Sequence, residues 1–65
     1  MSREVELEIR VKAVTDRALL VTTDGDNEAW IPKSQITDYA GSEDLDARVT
    51  SIFISEWLAT EKGLV

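Results

Sequence analysis

From Glu4 to Ala13 the chain alternates without a break, with Val5, Leu7, Ile9, Val11 and Ala13 interleaved by Glu6, Glu8, Arg10 and Lys12. A period of two sends successive side chains to opposite faces of an extended strand, whereas a helix would scatter these apolar residues around its circumference. A half-buried strand commits the chain to a sheet, and a sheet needs partner strands. Val14-Thr15-Asp16-Arg17 supplies a turn, and Ala18 to Thr23 is short, apolar and rich in strand formers, as expected of a second strand buried on both faces. Asp24-Gly25-Asp26-Asn27 is a hairpin signal, because these residues tolerate the positive φ values of tight loops. Glu28 to Ile31 then returns as the third strand.

Pro32 has no amide hydrogen, so the third strand ends there or lies at an edge. Lys33 to Ile36 reads as one tight turn with Ile36 folded back onto the core, and residues 37–46 have the Gly, Ser and Asp content of a loop. Ala47 to Ile54 resumes as a fourth strand. A short helix closes the chain: Ser55 can cap its first amides, Glu56 suits the positive end of the helix dipole, and Lys62 with Gly63 marks the stop, after which Leu64 can fold back toward Leu58 or Ala59. So short a helix must dock, through Trp57 and Leu58. These elements predict a mainly β fold with a short C-terminal helix, either a small SH3-like antiparallel barrel or a strongly bent four-stranded sheet. An open four-stranded sheet with the helix on one face is the alternative. Residues 1–65 are expected to form a single domain.

A 65-residue chain without cysteine or histidine has neither disulfides nor the usual ligands of a structural zinc. Domains of this size bury only about 60% of their unfolded surface. Self-association is the remaining way to cover apolar surface, so a homo-oligomer is expected, a dimer first. The segment from Met1 to Glu6 does not resemble a signal peptide and no apolar run is long enough to span a bilayer, so a cytoplasmic protein without membrane association is expected.

The net charge of −6 is unevenly spread. Acids and bases cancel in residues 1–23 and again in 47–65, while between Asp24 and Asp46 seven acids face the single base Lys33. A field of that sign repels phosphate backbones, which argues against direct nucleic-acid binding and suits a basic partner surface. Solvated loop acids that keep a small protein soluble are the plainer explanation.

Catalysis is poorly supplied. Nucleophile and base arrangements built on Cys or His are excluded, and Ser34 beside Lys33 has no second base at a useful spacing. Asp24-Gly25-Asp26-Asn27-Glu28 offers oxygens to calcium but lacks the fuller loop with its distant bidentate Glu, so it reads as a turn. No catalytic residue, metal site or cofactor is expected. The richest stretch is Trp30-Ile31-Pro32-Lys33-Ser34-Gln35-Ile36, in which Trp30, Lys33, Ser34 and Gln35 could stack on and hydrogen-bond a planar, phosphate-bearing ligand. The favoured reading is structural, with Trp30 and Ile36 in the core and the polar residues facing water. Trp57 poses the same question, and two tryptophans are hard to bury in so short a chain, so at least one is expected to face a partner. Tyr39, Glu43 and Asp44 complete the candidate ligand- or partner-binding set.

The hairpin, Trp30 to Ile36, and Ile54-Ser55-Glu56-Trp57-Leu58-Ala59-Thr60-Glu61-Lys62-Gly63-Leu64 together resemble a set of short, mostly uncharacterised bacteriophage and prophage proteins. Ser55 stands where those sequences often have Pro, exchanging a rigid helix start for a cap. The resemblance implies a phage accessory protein in the host cytoplasm, a candidate inhibitor of host defence. Two mechanisms fit: sequestering a nucleotide-like ligand at Trp30, Lys33, Ser34 and Gln35, or blocking a protein. In the latter, the acidic region occupies a basic groove as a nucleic-acid mimic. A structural or replication accessory is the third possibility.

Overall fold

The computed structural model describes residues 3–64. Met1 and Ser2, the start of the segment expected to carry no leader, lie outside them. Six strands, one 3-10 turn and one helix follow in order: β1 (Glu4–Glu8), β2 (Arg10–Val14), β3 (Ala18–Thr22), β4 (Glu28–Pro32), the turn (Lys33–Gln35), β5 (Asp38–Ala40), β6 (Ser51–Ser55) and α1 (Glu56–Glu61). They form two antiparallel three-stranded sheets, β1-β6-β5 and β2-β3-β4. Among the described residues no strand pairing closes the two sheets into a barrel.

The long alternating segment is extended as expected but is shared between the sheets. It breaks at Ile9, whose amide donates to the Thr50 carbonyl at 2.9 Å while its side chain is buried. β1 therefore pairs with β6 and β2 with β3. A bulge at Lys12, between the pairs Val11↔Val21 and Ala13↔Leu20, adds bend to the second half. The expected fourth strand is shorter than its sequence suggests, because Ala47 to Thr50 is irregular and β6 begins at Ser51. Part of the expected 37–46 loop is strand β5, added to β6 through Asp38↔Phe53, Tyr39↔Ile52 and Ala40↔Ser51.

Leu7, Ile52 and Ile54 from the first sheet meet Leu19, Val21, Ala29 and Ile31 from the second in one core. Ile36, Val49, Leu58, Ala59 and Leu64 complete it. Ile36 is buried as expected. β3 is not buried on both faces: Leu19 and Val21 are fully enclosed, whereas Leu20 on the opposite side is only half-buried. That side is the outer face of the sheet, left open because no further layer covers it.

The helix keeps its expected ends. Ser55 Oγ accepts from the Leu58 amide at 3.1 Å, and the Leu64 amide returns to the Ala59 carbonyl at 2.8 Å past Gly63, whose φ is 73°. It docks through Leu58 and Ala59. Trp57 does not dock: it is 68% exposed, because the helical turn that aims Leu58 and Ala59 inward aims its neighbour out. None of the described helices is long and apolar enough to cross a membrane.

Candidate binding site

The β2–β3 turn is held by Thr15, whose amide donates to the Ala18 carbonyl at 2.9 Å and whose Oγ1 accepts from the Ala18 amide at 3.0 Å. This leaves Asp16 and Arg17 exposed at the tip. Across the sheet, Ala18 faces Pro32, and the Lys33 amide donates to the Arg17 carbonyl at 2.7 Å. That bond brackets the Ala18↔Pro32 pair, so Pro32 sits where the antiparallel ladder asks no hydrogen of it. The proline ends β4 without an unpaired group, and the chain turns at once into Lys33–Gln35.

The two cationic residues thus meet on one cleft of about 370 Å³, lined by Asp16, Arg17, Pro32, Lys33 and Ser34. Among the described residues neither Arg17 nor Lys33 lies within ion-pair distance of a carboxylate; the pairs present are Lys12 with Glu28 and Arg48 with Asp46. Two unpaired cations, a hydroxyl and a proline ring form a surface able to receive an anion. Asp16 on the same wall limits how much negative charge it accepts.

Trp30 does not lie in the core, the place expected from its sequence, and is outside the lining of this cleft. In β4 Ala29 and Ile31 point inward, so Trp30 must point out with Glu28 and Pro32, and it is 44% exposed. It stands on the same face as Pro32, roughly 7 Å along the strand. Directly paired residues share a face, so Ala13, Leu20 and Trp30 make one apolar row across the three strands. Of the four residues grouped from sequence, Lys33 and Ser34 line the cleft, while Trp30 on the outer face of β4 and Gln35 on the turn are exposed outside its lining. Arg17 and Asp16 were not among the candidates. Their signal lay in the hairpin: counting outward from Thr22↔Glu28 pairs Ala18 with Pro32 and so brings Arg17 to Lys33.

Tyr39, Glu43 and Asp44 belong to a separate region beside the other sheet. Tyr39 is half-buried against the core and its hydroxyl donates to the Glu43 carbonyl at 3.0 Å. The loop is tied further by Ser42 Oγ donating to Asp46 Oδ2 at 3.0 Å and accepting from the Asp44 amide at 3.3 Å. Glu43 and Asp44 remain exposed. Trp57 stands on α1, which packs on β1 and β6.

The acidic stretch is contiguous in sequence but divided by the fold between the β3–β4 hairpin and the β5–β6 loop. Several of its carboxylates also have structural work. Asp24 Oδ1 accepts from the Asp26 and Asn27 amides at 2.8 and 2.9 Å, and these bonds, the Asn27 amide first, hold its carboxyl below the usual carboxylate range. The hairpin that this supports bends at Gly25, with φ 89°, and Thr22 beneath it accepts from the Gly25 amide at 2.9 Å. Asp46 receives the Arg48 guanidinium at 2.9 Å and the Arg48 amide at 2.8 Å, which lower its carboxyl to about 2.

A second, larger cleft of about 590 Å³ runs along the bend between β1 and β2, where Glu6, Glu8 and Asp24 share the walls with Arg10. Carboxylates outnumber the cation there, so it does not suit an anion. The smaller cleft has the better chemistry. No family model matches this chain, nor does any curated protein or solved structure.

Proposed function

We propose that the chain is a non-catalytic, phage-type binding protein that holds a planar, phosphate-bearing ligand at the Arg17–Lys33 cleft. The observation that carries this reading is the Lys33–Arg17 backbone bond, which brings two cations and Ser34 onto one cleft, with the exposed Trp30 two residues before Pro32 on β4. A phosphate would take the guanidinium, the ammonium and the Ser34 hydroxyl, while the base stacks on Trp30. A cleft of a few hundred Å³ suits a nucleotide-sized ligand. Its role would be to sequester a nucleotide signal in the host cytoplasm and so blunt a defence response. The SH3-like description of the fold belongs to the same proposal: the strand that runs from β1 through Ile9 into β2 joins the two sheets along one side, as a small barrel needs.

Thermal unfolding tests the reading. Nucleotides should raise the melting temperature of the native chain and leave that of Lys33→Ala unchanged; no rise with any nucleotide would end it. A second reading rests on the β5–β6 loop, whose internal hydrogen bonds hold it in shape while Glu43 and Asp44 stay exposed. Such a preorganised acidic loop could block a basic groove on a partner protein. Glu43→Lys with Asp44→Lys should then release a partner that co-purifies with the native chain.

A further inference from the structure

Residues 4 to 12 carry three acids and two bases, and the two signs occupy different strands. Glu4, Glu6 and Glu8 project from the outer face of β1, and after the bend at Ile9 the same outward side of the strand carries Arg10 and Lys12 on β2. The sign of the surface therefore switches where the strand passes from one sheet to the other. On the first sheet the row Glu6–Phe53–Asp38 crosses three paired strands, so a half-buried aromatic ring lies between two carboxylates. None of β1, β5 and β6 contains a Lys or Arg. On the second sheet Arg10 and Lys12 border the Ala13–Leu20–Trp30 row, and the only acid in its strands, Glu28, lies 3.8 Å from Lys12. The two faces meet at the bend, where Glu6, Glu8 and Arg10 line the larger cleft, and each continues from there across its own sheet.

We propose that the chain associates head to tail, with the acidic Phe53 face of one copy docking on the basic Trp30 face of the next. Each face has an apolar centre and a charged border, the anatomy of a protein interface. Like faces repel, since pairing two Phe53 faces would set Glu4, Glu6, Glu8 and Asp38 against their own copies. Unlike faces attract, and charge complementarity of this kind sets which surfaces meet. A contact between two different faces is heterologous, so it builds rings or open chains in place of a two-fold dimer. The proposal does not rest on the ligand reading. Trp30 is common to both surfaces, so a docked neighbour and a stacked ligand exclude one another.

Light scattering across a concentration series, without added nucleotide, tests it. The native chain should exceed the monomer mass at low salt and return to it as salt rises, because surface charges are screened. Glu4→Lys/Glu6→Lys and Arg10→Glu/Lys12→Glu change exposed side chains only, and circular dichroism checks that both variants fold. Each alone should be a monomer, and an equimolar mixture should reassociate, since each variant keeps the face its counterpart needs. A native chain that stays monomeric throughout overturns the proposal. So does association that survives either reversal, or a mixture that stays dissociated.

Discussion

Lys33 gives its backbone amide hydrogen to the carbonyl of Arg17 at 2.7 Å, so the end of β4 is tied to the β2–β3 turn through main chain alone. The two side chains are free of that bond. Arg17→Ala should accordingly leave the folded state within about 0.5 kcal/mol of the native chain, as surface substitutions usually do. Its effect on a bound phosphate should be larger. A hydrogen bond to a charged group contributes about 1.5–3 kcal/mol, which is roughly tenfold or more in affinity. Urea midpoints and a calorimetric titration with nucleotides measure the two quantities separately.

Gly41 has φ 101°, and a Cβ there would lie 2.7 Å from the Thr50 amide nitrogen and 2.8 Å from the Arg48 carbonyl oxygen. Both obstacles include backbone, which cannot swing aside. Gly41→Ala should cost more than the roughly 1–3 kcal/mol of a strained φ alone. Gly25 has a similar φ with nothing within 4 Å of a Cβ, so Gly25→Ala should show only the conformational part. Chemical unfolding of the two variants side by side checks the order.

The helix supplies a contrast between adjacent residues. Ser55→Ala removes the cap on the Leu58 amide and should cost about 1 kcal/mol, and Leu58→Ala should cost about 2–5 kcal/mol through the cavity it leaves. Trp57→Ala should stay within about 0.5 kcal/mol, since its side chain is largely exposed. Thermal melts of the three variants would show whether Trp57 has any structural role.

Asp46 titrates at about 2, against an ordinary value of 3.8. A carboxyl whose folded value is lowered stabilises the fold above its ordinary value, and that contribution is lost as pH falls through the folded one. Stability should therefore decline as the solution is acidified from about 4 toward about 2. Asp24, lowered in the same direction, adds to the decline. Asp46→Asn should melt lower at neutral pH and show a shallower acid decline than the native chain. Melting temperatures of the two proteins across that window read the difference.

The local grammar of the chain was legible in advance. The alternating first segment, the Asp24–Asn27 hairpin, the proline stop, the buried Ile36 and the capped helix each depend on residues within a few positions of one another. What could not be read locally was partnership between distant strands. An unbroken alternation does not reveal that the strand changes sheets at Ile9, and Asp38-Tyr39-Ala40 becomes a strand only because β6 offers it an edge. Trp30 is the instructive miss. Indoles are often buried in small domains, but Ala29 and Ile31 on either side already claim the inward positions, and strand parity overrules the preference of the residue. Arg17 joined the site through register, not motif, and charge read as a sum hid the segregation of Glu4 to Glu8 from Arg10 and Lys12.

The central claim is that Trp30 and the Arg17–Lys33 cleft hold a planar phosphate ligand, and the fluorescence of Trp30 reports on it directly. In a Trp57→Phe protein, leaving Trp30 as the single tryptophan, titration with adenine and guanine nucleotides should produce a saturable change in emission. The same titration of the protein carrying Arg17→Ala and Lys33→Ala in addition should be flat. An emission that no nucleotide alters, or a response that persists without both cations, would contradict the account.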